Sequence, residues 1–254
     1  MNILEKIFSC CSLTPIKNKY NIIKQIDNKS IFIVEYQHKY YIIKLKNSTE
    51  INFLNKFNDD DIIRVEDLTK VNDEDYIVFK YYFYGDLFNY IQETKLIAEY
   101  TSRTIIKKIL LVLEKCYNNN IAHLDIKPEN IIIKNINNLD LILIDFDLAK
   151  ETFDYINKSN NIGGSLNYSA PEMFNNIYTK NSDIWSLGII LYVLLKKEFL
   201  YDKVADIDNY YINKKISILN CTNECKDFIK KCLIIDYNKR YNVKQLLKHN
   251  WIRS

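Results

Sequence analysis

The segment His123–Ile133, HLDIKPENIII, places Asp125, Lys127 and Asn130 on one loop between a helix-like and a strand-like run. Fifteen residues after Asn130, the tetrapeptide IDFD carries Asp145. Two carboxylates and a carboxamide near strand ends are hard oxygen donors. They suit a divalent cation and the activation of a hydroxyl nucleophile. Each piece alone is weak: a polar loop containing proline is commonly only a turn, and Asp-Phe is a frequent dipeptide.

Elements that could position these groups are legible on both sides. Upstream, the runs Tyr20–Ile26, Ile31–Tyr36 and Tyr40–Lys46 are rich in Ile, Val, Phe and Tyr and separated by short polar turns, which predicts strands. NSTEINFLNKF predicts a short amphipathic helix, with Asn47 and Glu50 at capping-box spacing. IIRVEDLTKV and DYIVFKYY predict two more strands. After Gly85 the pattern turns helical, first in LFNYIQ and then in TSRTIIKKILLVLEKCYNNN. There Ile105, Ile106, Ile109, Leu110 and Leu113 share one face. NIIIK and LILID read as short strands, and from Ser182 onward the pattern is helical.

The chain has 254 residues, of which 48% are hydrophobic, enough for a real core. A net charge of +3 gives no reason to invoke nucleic acid as a partner. The longest apolar run, Ile184–Leu195, is too short to span a bilayer and suits a buried helix, so no transmembrane segment is expected. No secretory leader is read at the N-terminus, where Glu5 and Lys6 interrupt the apolar residues. The six cysteines do not form two close pairs of zinc ligands, and reduced thiols in a cytoplasmic protein are expected. Cys10-Cys11 reads either as an S-acylation site giving weak membrane association or as two incidental thiols. Nothing in the sequence sets the oligomeric state.

The order of the motifs resembles the eukaryotic protein kinase family from about Tyr20 to Ile252. HLDIKPEN resembles the catalytic loop H-R-D-L-x-x-x-N, and DFD stands where D-F-G is expected. Ala170-Pro171-Glu172 is the A-P-E signature. SDIWSLG is similar to D-x-W-S-x-G, and Arg240 lies in a matching late segment, DYNKRY. The resemblance implies an α+β, two-lobed fold. It places a lead-in at 1–19, a β-rich N-lobe at about 20–80, a connection at about 80–85 and a larger helical C-lobe at about 86–252. It leaves no room within these residues for a C-terminal regulatory domain.

The implied activity is transfer of the ATP γ-phosphate to Ser/Thr hydroxyls of protein substrates, with Mg2+ as cofactor. Lys127 marks the serine/threonine type. Asp125 would handle the proton of the substrate hydroxyl, Lys127 would neutralise charge on the transferred group, and Asn130 and Asp145 would hold Mg2+. Lys44, in YYIIKLK, would bind the α/β-phosphates and is preferred to Lys46 because an apolar triplet precedes it. Glu50 would pair with Lys44, yet only five residues separate them, short of the family's gap. A truncated or displaced helix is therefore expected, with Glu50 either pairing with Lys44 or capping its own helix. Phe79 would gate the back of the nucleotide pocket, and Tyr81 and Tyr82 would offer backbone groups to adenine. Asp86 would reach the ribose or is simply a solvated acid. Glu172, Asp183 and Arg240 are structural in this reading.

Aligning QIDNKSIFIVE on L-G-x-G-x-F-G-x-V sets Ile26 and Val34 over adenine, with Asp27, Asn28, Lys29 and Ser30 in the phosphate-covering turn. Asp27, Lys29 and Phe32 then replace glycines that elsewhere let backbone N–H groups approach phosphate. Lys29 is the evident substitute contact, and weaker nucleotide binding is expected. Asp147 replaces the D-F-G glycine, and Leu124 replaces the arginine that reads an activation-segment phosphate. Activity independent of phosphorylation at Thr152, Tyr155 and Ser159 is therefore expected. Ser165 reads as a contact to the catalytic loop, not a modification site. The alternative is a pseudokinase scaffold with weak or no ATP turnover.

Overall fold

The computed structural model describes residues 19–26, 31–152, 157–158 (backbone only), 166–201 and 207–254. The chain divides into two compact units, Met1–Phe83 and Tyr84–Ser254.

Among the described residues, the first unit is an antiparallel sheet with one helix. β1 (Asn21–Gln25), β2 (Ile31–Tyr36), β3 (Lys39–Leu45), β4 (Val65–Val71) and β5 (Glu74–Lys80) pair in the order β1-β2-β3-β5-β4. The β2–β3 and β4–β5 turns use two residues with positive φ and no glycine: Gln37 (49°) and His38 (60°), then Asn72 (50°) and Asp73 (67°). A two-residue hairpin needs that geometry to match strand twist. Asn, Asp and His adopt it more readily than Gln, so Gln37 is the most strained of the four.

The pleat gives this sheet two distinct faces. One buries Tyr20, Val34, Ile43, Val71, Tyr76 and Val78 as a cluster, with Phe32, Tyr36 and Tyr41 packed against it. Tyr20 donates to Asp67 Oδ2 at 2.9 Å, which satisfies the only polar atom of that ring. The opposite face carries Ile33, Ile42, Lys44, Ile77 and Phe79, since Ile42 opposes both Ile33 and Phe79 and Lys44 opposes Ile77. α1 (Ser48–Leu54) follows β3 after a two-residue link, and Asn47 caps it by accepting from the N–H groups of Thr49 and Glu50. It buries Glu50, Phe53 and Leu54, the i, i+3, i+4 stripe of a short amphipathic helix.

The second unit is mainly helical. α2 (Leu87–Glu93) precedes the long α3 (Glu99–Asn118), whose buried stripe runs from Ser102 through Ile105, Ile106, Ile109, Leu110 and Leu113 to Cys116. α4 (Lys180–Lys196) packs against α3 and is buried on all sides from Ser182 to Leu194. A helix apolar all round belongs inside a core. Gly188 in α4 marks a close approach: a Cβ there would lie 2.7 Å from Cys232 Cβ and 2.8 Å from Leu233 Cδ2. α5 (Asn209–Ser217), α6 (Asn223–Cys232), α7 (Val243–Leu247) and α8 (Asn250–Arg253) complete the unit. Short strands thread between α3 and α4. β6 (Ile121–Ala122) pairs with β9 (Lys150–Glu151), β7 (Ile131–Asn135) with β8 (Asp140–Leu143), and β10 (Asn157–Lys158) with β11 (Ile177–Tyr178).

Candidate active site

In the first unit, Lys44 Nζ lies 3.1 Å from Glu50 Oε2, and the carboxylate side chain is only 1% exposed. Of the two roles expected for Glu50, the geometry gives the pairing with Lys44. The helix is short, and its cap is the Asn47 side chain. Lys46 is engaged elsewhere, 3.2 Å from Asp75 Oδ2.

Val34 requires a correction. It opposes Tyr41 and is fully buried in the cluster on the face away from Lys44. Ile33, one residue earlier, shares the face of Lys44 and Phe79. A one-residue shift of register exchanges the faces of a whole strand, and the β1–β2 pairing carries an irregularity between Ile22 and Lys24. The aligned glycine pattern is accordingly one residue too long. Phe32, placed at the third glycine, instead meets Tyr76 edge-on at 6.1 Å within the far cluster. Ile26 donates its N–H to Ile31 O at 2.9 Å and is 50% exposed. Asp27, Asn28, Lys29 and Ser30 lie outside the described residues, as do Cys10, Cys11, Tyr155, Ser159 and Ser165.

Phe79 is buried on the Lys44 face, at the end of β5. The Tyr81 N–H donates to Tyr40 O at 3.3 Å, which leaves the Tyr81 carbonyl and the backbone of Tyr82 as candidates for an edge-on ligand contact.

The second unit holds the loop residues. Lys127 Nζ and Asn130 Nδ2 both approach Asp125 Oδ2, at 2.7 and 3.0 Å, and Asn130 Nδ2 also donates to Asp125 O at 2.9 Å. The loop is held from beneath by Asp183, near the start of α4. Its two oxygens accept from His123 N at 2.9 Å and Leu124 N at 2.7 Å. Leu124 sits at φ 67°, a strained value for leucine that these bonds enforce. Burial pushes the Asp183 carboxyl up to about 7, against the two N–H groups that favour the ion.

His123 supplies a link that its place in the motif does not reveal. Nδ1 accepts from Asp125 N at 3.3 Å, which assigns the ring hydrogen to Nε2, 3.0 Å from Ile144 O. Burial lowers its pKa, so the neutral ring ties the Asp125 loop to the segment ending in Asp145. Phe146 packs edge-on to this ring at 4.7 Å. Asn130 O accepts from Ile144 N at 3.0 Å, a second tie between the same segments. Left-handed backbone falls at Asp145 (φ 68°), not at Asp147, so the missing glycine at 147 imposes no strain of that kind.

Asp86 is partly exposed and stands at the start of a helix. It caps α2, accepting from Asn89 N at 2.8 Å, and burial raises its pKa. Glu172 and Arg240 form a bidentate pair at 2.7 and 2.9 Å, with Arg240 0% and Glu172 3% exposed. The remaining guanidinium donors reach Asn181 O, Ile234 O and Ile235 O, and the group lies over Trp185.

Comparison with known proteins agrees with this geometry. The protein kinase domain family matches residues 16–252. Calcium-dependent protein kinase 5 of Plasmodium falciparum is 29% identical over 259 residues, covering 92% of this chain and 43% of the relative. Myosin light chain kinase A of Dictyostelium discoideum is 32% identical over 214 residues, covering 81% of this chain and 72% of the relative. The chain thus spans less than half the length of the Plasmodium relative. The crystal structure of the Rad53 kinase domain and SCD2 in complex with AMPPNP shares the fold, with a TM-score of 0.77 at 24% identity, covering 93% of this chain and 90% of that one. The motif order, the two units and the matched family together show that the chain belongs to the eukaryotic protein kinase family, of the serine/threonine type.

Proposed function

We propose that this chain is a catalytically active serine/threonine protein kinase, its kinase domain at about 20–252. It transfers the ATP γ-phosphate to a Ser or Thr hydroxyl of a protein substrate. The observation that carries the reading is the Asp125 carboxylate, fixed through one oxygen by both Lys127 and Asn130. Asp125 accepts the proton as the hydroxyl oxygen bonds to phosphorus and the bond to ADP breaks. Lys127, beside it, neutralises charge on the transferred group. Asn130 directs Nδ2 to Asp125, which leaves Oδ1 as its outward oxygen, and Asp145 adds an anionic oxygen. That donor set fits Mg2+, which when bound would neutralise phosphate charge. Lys44, held by Glu50, contacts the α/β-phosphates, and Ile26, Ile33 and Phe79 bound the base.

A cytoplasmic location accords with this reading. Among the described residues no helix is long and apolar enough to cross a membrane. S-acylation of Cys10 and Cys11 would add weak membrane association.

The test is incubation with Mg2+, labelled ATP and a generic basic protein, beside Asp145→Ala. Labelling by the wild type alone is expected, and equal labelling by both removes the catalytic claim. The pseudokinase reading is favoured by the absence of glycine from Asp27 to Ser30 in the sequence. It predicts no labelling, and thermal stabilisation by Mg2+–ATP then separates a nucleotide-binding scaffold from an empty one.

A further inference from the structure

Cys221 and Cys225 flank the start of α6, far in sequence from every group assigned above. Cys221 immediately precedes the cap residue Thr222, and Cys225 lies in the first turn. Both are free thiols; Cys225 is buried and Cys221 partly exposed. Their sulfurs and one carboxylate oxygen of Glu99 all lie within 4.8 Å of one another.

Two thiols and a carboxylate are a metal-ligand set by type, but the carboxylate is already engaged. Glu99 Oε1 accepts from Thr222 Oγ1 at 2.6 Å and Trp251 Nε1 at 2.8 Å, and Oε2 accepts from Thr222 N at 2.8 Å. Arg103 Nη2 stands 3.9 Å from Oε1, adding positive charge where a cation would sit. A metal ion would have to displace donors that join α3, α6 and α8. Among the described residues the two sulfurs have no such commitment, except to each other. The Cys225 thiol donates to the Cys221 sulfur, which lowers the pKa of Cys221 and raises that of Cys225. Glu99 works against this and Lys226 with it. The accessible thiol is thus the more easily ionised, and the buried one stands beside it.

We propose that Cys221 and Cys225 form a reversible redox pair, in which Cys221 is oxidised by a hydroperoxide and Cys225 resolves it. The Cys221 thiolate attacks the peroxide oxygen, the O–O bond breaks, and sulfenic acid and hydroxide form. The Cys225 sulfur then displaces that hydroxyl, the Cys225 proton leaves with it as water, and the disulfide closes. Overall two thiols and one H2O2 give one disulfide and two waters. The bond closes over Thr222, so oxidation is felt directly at the Glu99 joint.

Trypsin releases both cysteines, and no others, in the peptide Ile216–Lys226. After exposure of the native protein to H2O2 and alkylation of free thiols, this peptide should weigh about 2 Da less than its reduced, unalkylated form. Dithiothreitol should restore it to two alkylatable thiols. In Cys225→Ser, dimedone should tag Cys221, whereas in Cys221→Ser the same exposure should leave Cys225 reduced. Passage of the wild-type peptide to sulfinic acid without a disulfide overturns the proposal, as does full alkylation after peroxide. Retention of one zinc ion by this pair in native mass spectrometry, with both thiols then protected, makes it a metal site and also overturns it.

Discussion

Val34 and Ile33 are adjacent in β2, yet the sheet assigns them opposite tasks, and paired alanine substitutions separate them. Val34 is 0% exposed, enclosed by Tyr20, Ile43, Tyr76 and Val78. Val34→Ala removes two methyl-sized groups, worth about 1.6 kcal/mol at ~0.8 kcal/mol each. The cavity term raises the loss to about 2–3 kcal/mol. For a chain of this size that is a fall in Tm of roughly 4–12 °C. The nucleotide affinity of Val34→Ala should stay within about twofold of wild type, since the side chain faces away from Lys44. Ile33→Ala should also lose stability, about 2–5 kcal/mol. In addition it removes an apolar wall beside Lys44. If that wall supplies about 1–2 kcal/mol of contact, nucleotide binding weakens roughly 5–30-fold. Thermal denaturation without ligand gives the first quantity, and titration with a fluorescent Mg2+–ATP analogue gives the second. The face assignment is wrong if Val34→Ala weakens nucleotide binding more than Ile33→Ala does.

Arg240→Met leaves the Glu172 carboxylate buried without its bidentate partner, and urea denaturation should show a loss of about 3–5 kcal/mol; a loss below about 1 kcal/mol would contradict the buried pair. Asn47→Ala removes the cap of a seven-residue helix, costing about 1 kcal/mol, and should lower kcat through Glu50. Asn47→Ser and Asn47→Asp should restore it, and equal activity in all three would detach the cap from the Lys44–Glu50 pair. Tyr155→Phe with Ser159→Ala, like phosphatase treatment, should leave kinase activity near wild type, since Leu124 offers no charge to a phosphate; Thr152 is itself only 6% exposed, a poor target for a modifying enzyme. Because the Asp183 carboxyl is raised in the fold, its proton stabilises the native state below about pH 4, and that contribution is lost as pH rises through about 7. Wild type should therefore lose stability relative to Asp183→Asn over that interval, and a difference that grows in favour of wild type would reverse the sign.

Element types were legible because hydrophobic periods are local. The alternating runs became β2 and β3, and the apolar stripe on α3 is the one its spacing predicts. Strand phase was not, because it depends on partners. IFIVEY alternates equally well with Val34 on either face, and only pairing with β3 fixes it. Asp86 shows the same limit: its position before LFNYIQ fits a helix cap as well as a ribose contact, and the bond to Asn89 N assigns its geometry. His123 was visible as a motif letter, but its two ring contacts join segments 21 residues apart, which no local pattern displays.

The five-residue interval between Lys44 and Glu50 illustrates how a departure from a family pattern can retain its chemistry. A longer link lets a helix begin anywhere near the strand end, and the glutamate must then come from further along it. Here Asn47 starts α1 immediately, so Glu50 is its third residue. Side chains in a helix lean toward its N-terminus, and for Glu50 that direction is back toward the end of β3. Lys44 is the last residue but one of that strand. The abrupt start therefore brings the carboxylate to the lysine, and capping and ion pairing are successive consequences of one turn. Its 1% exposure makes the pair more than a surface contact, because a carboxylate so enclosed needs a cation to stay ionised. Truncation of the helix has thus removed length without removing the group that orients Lys44.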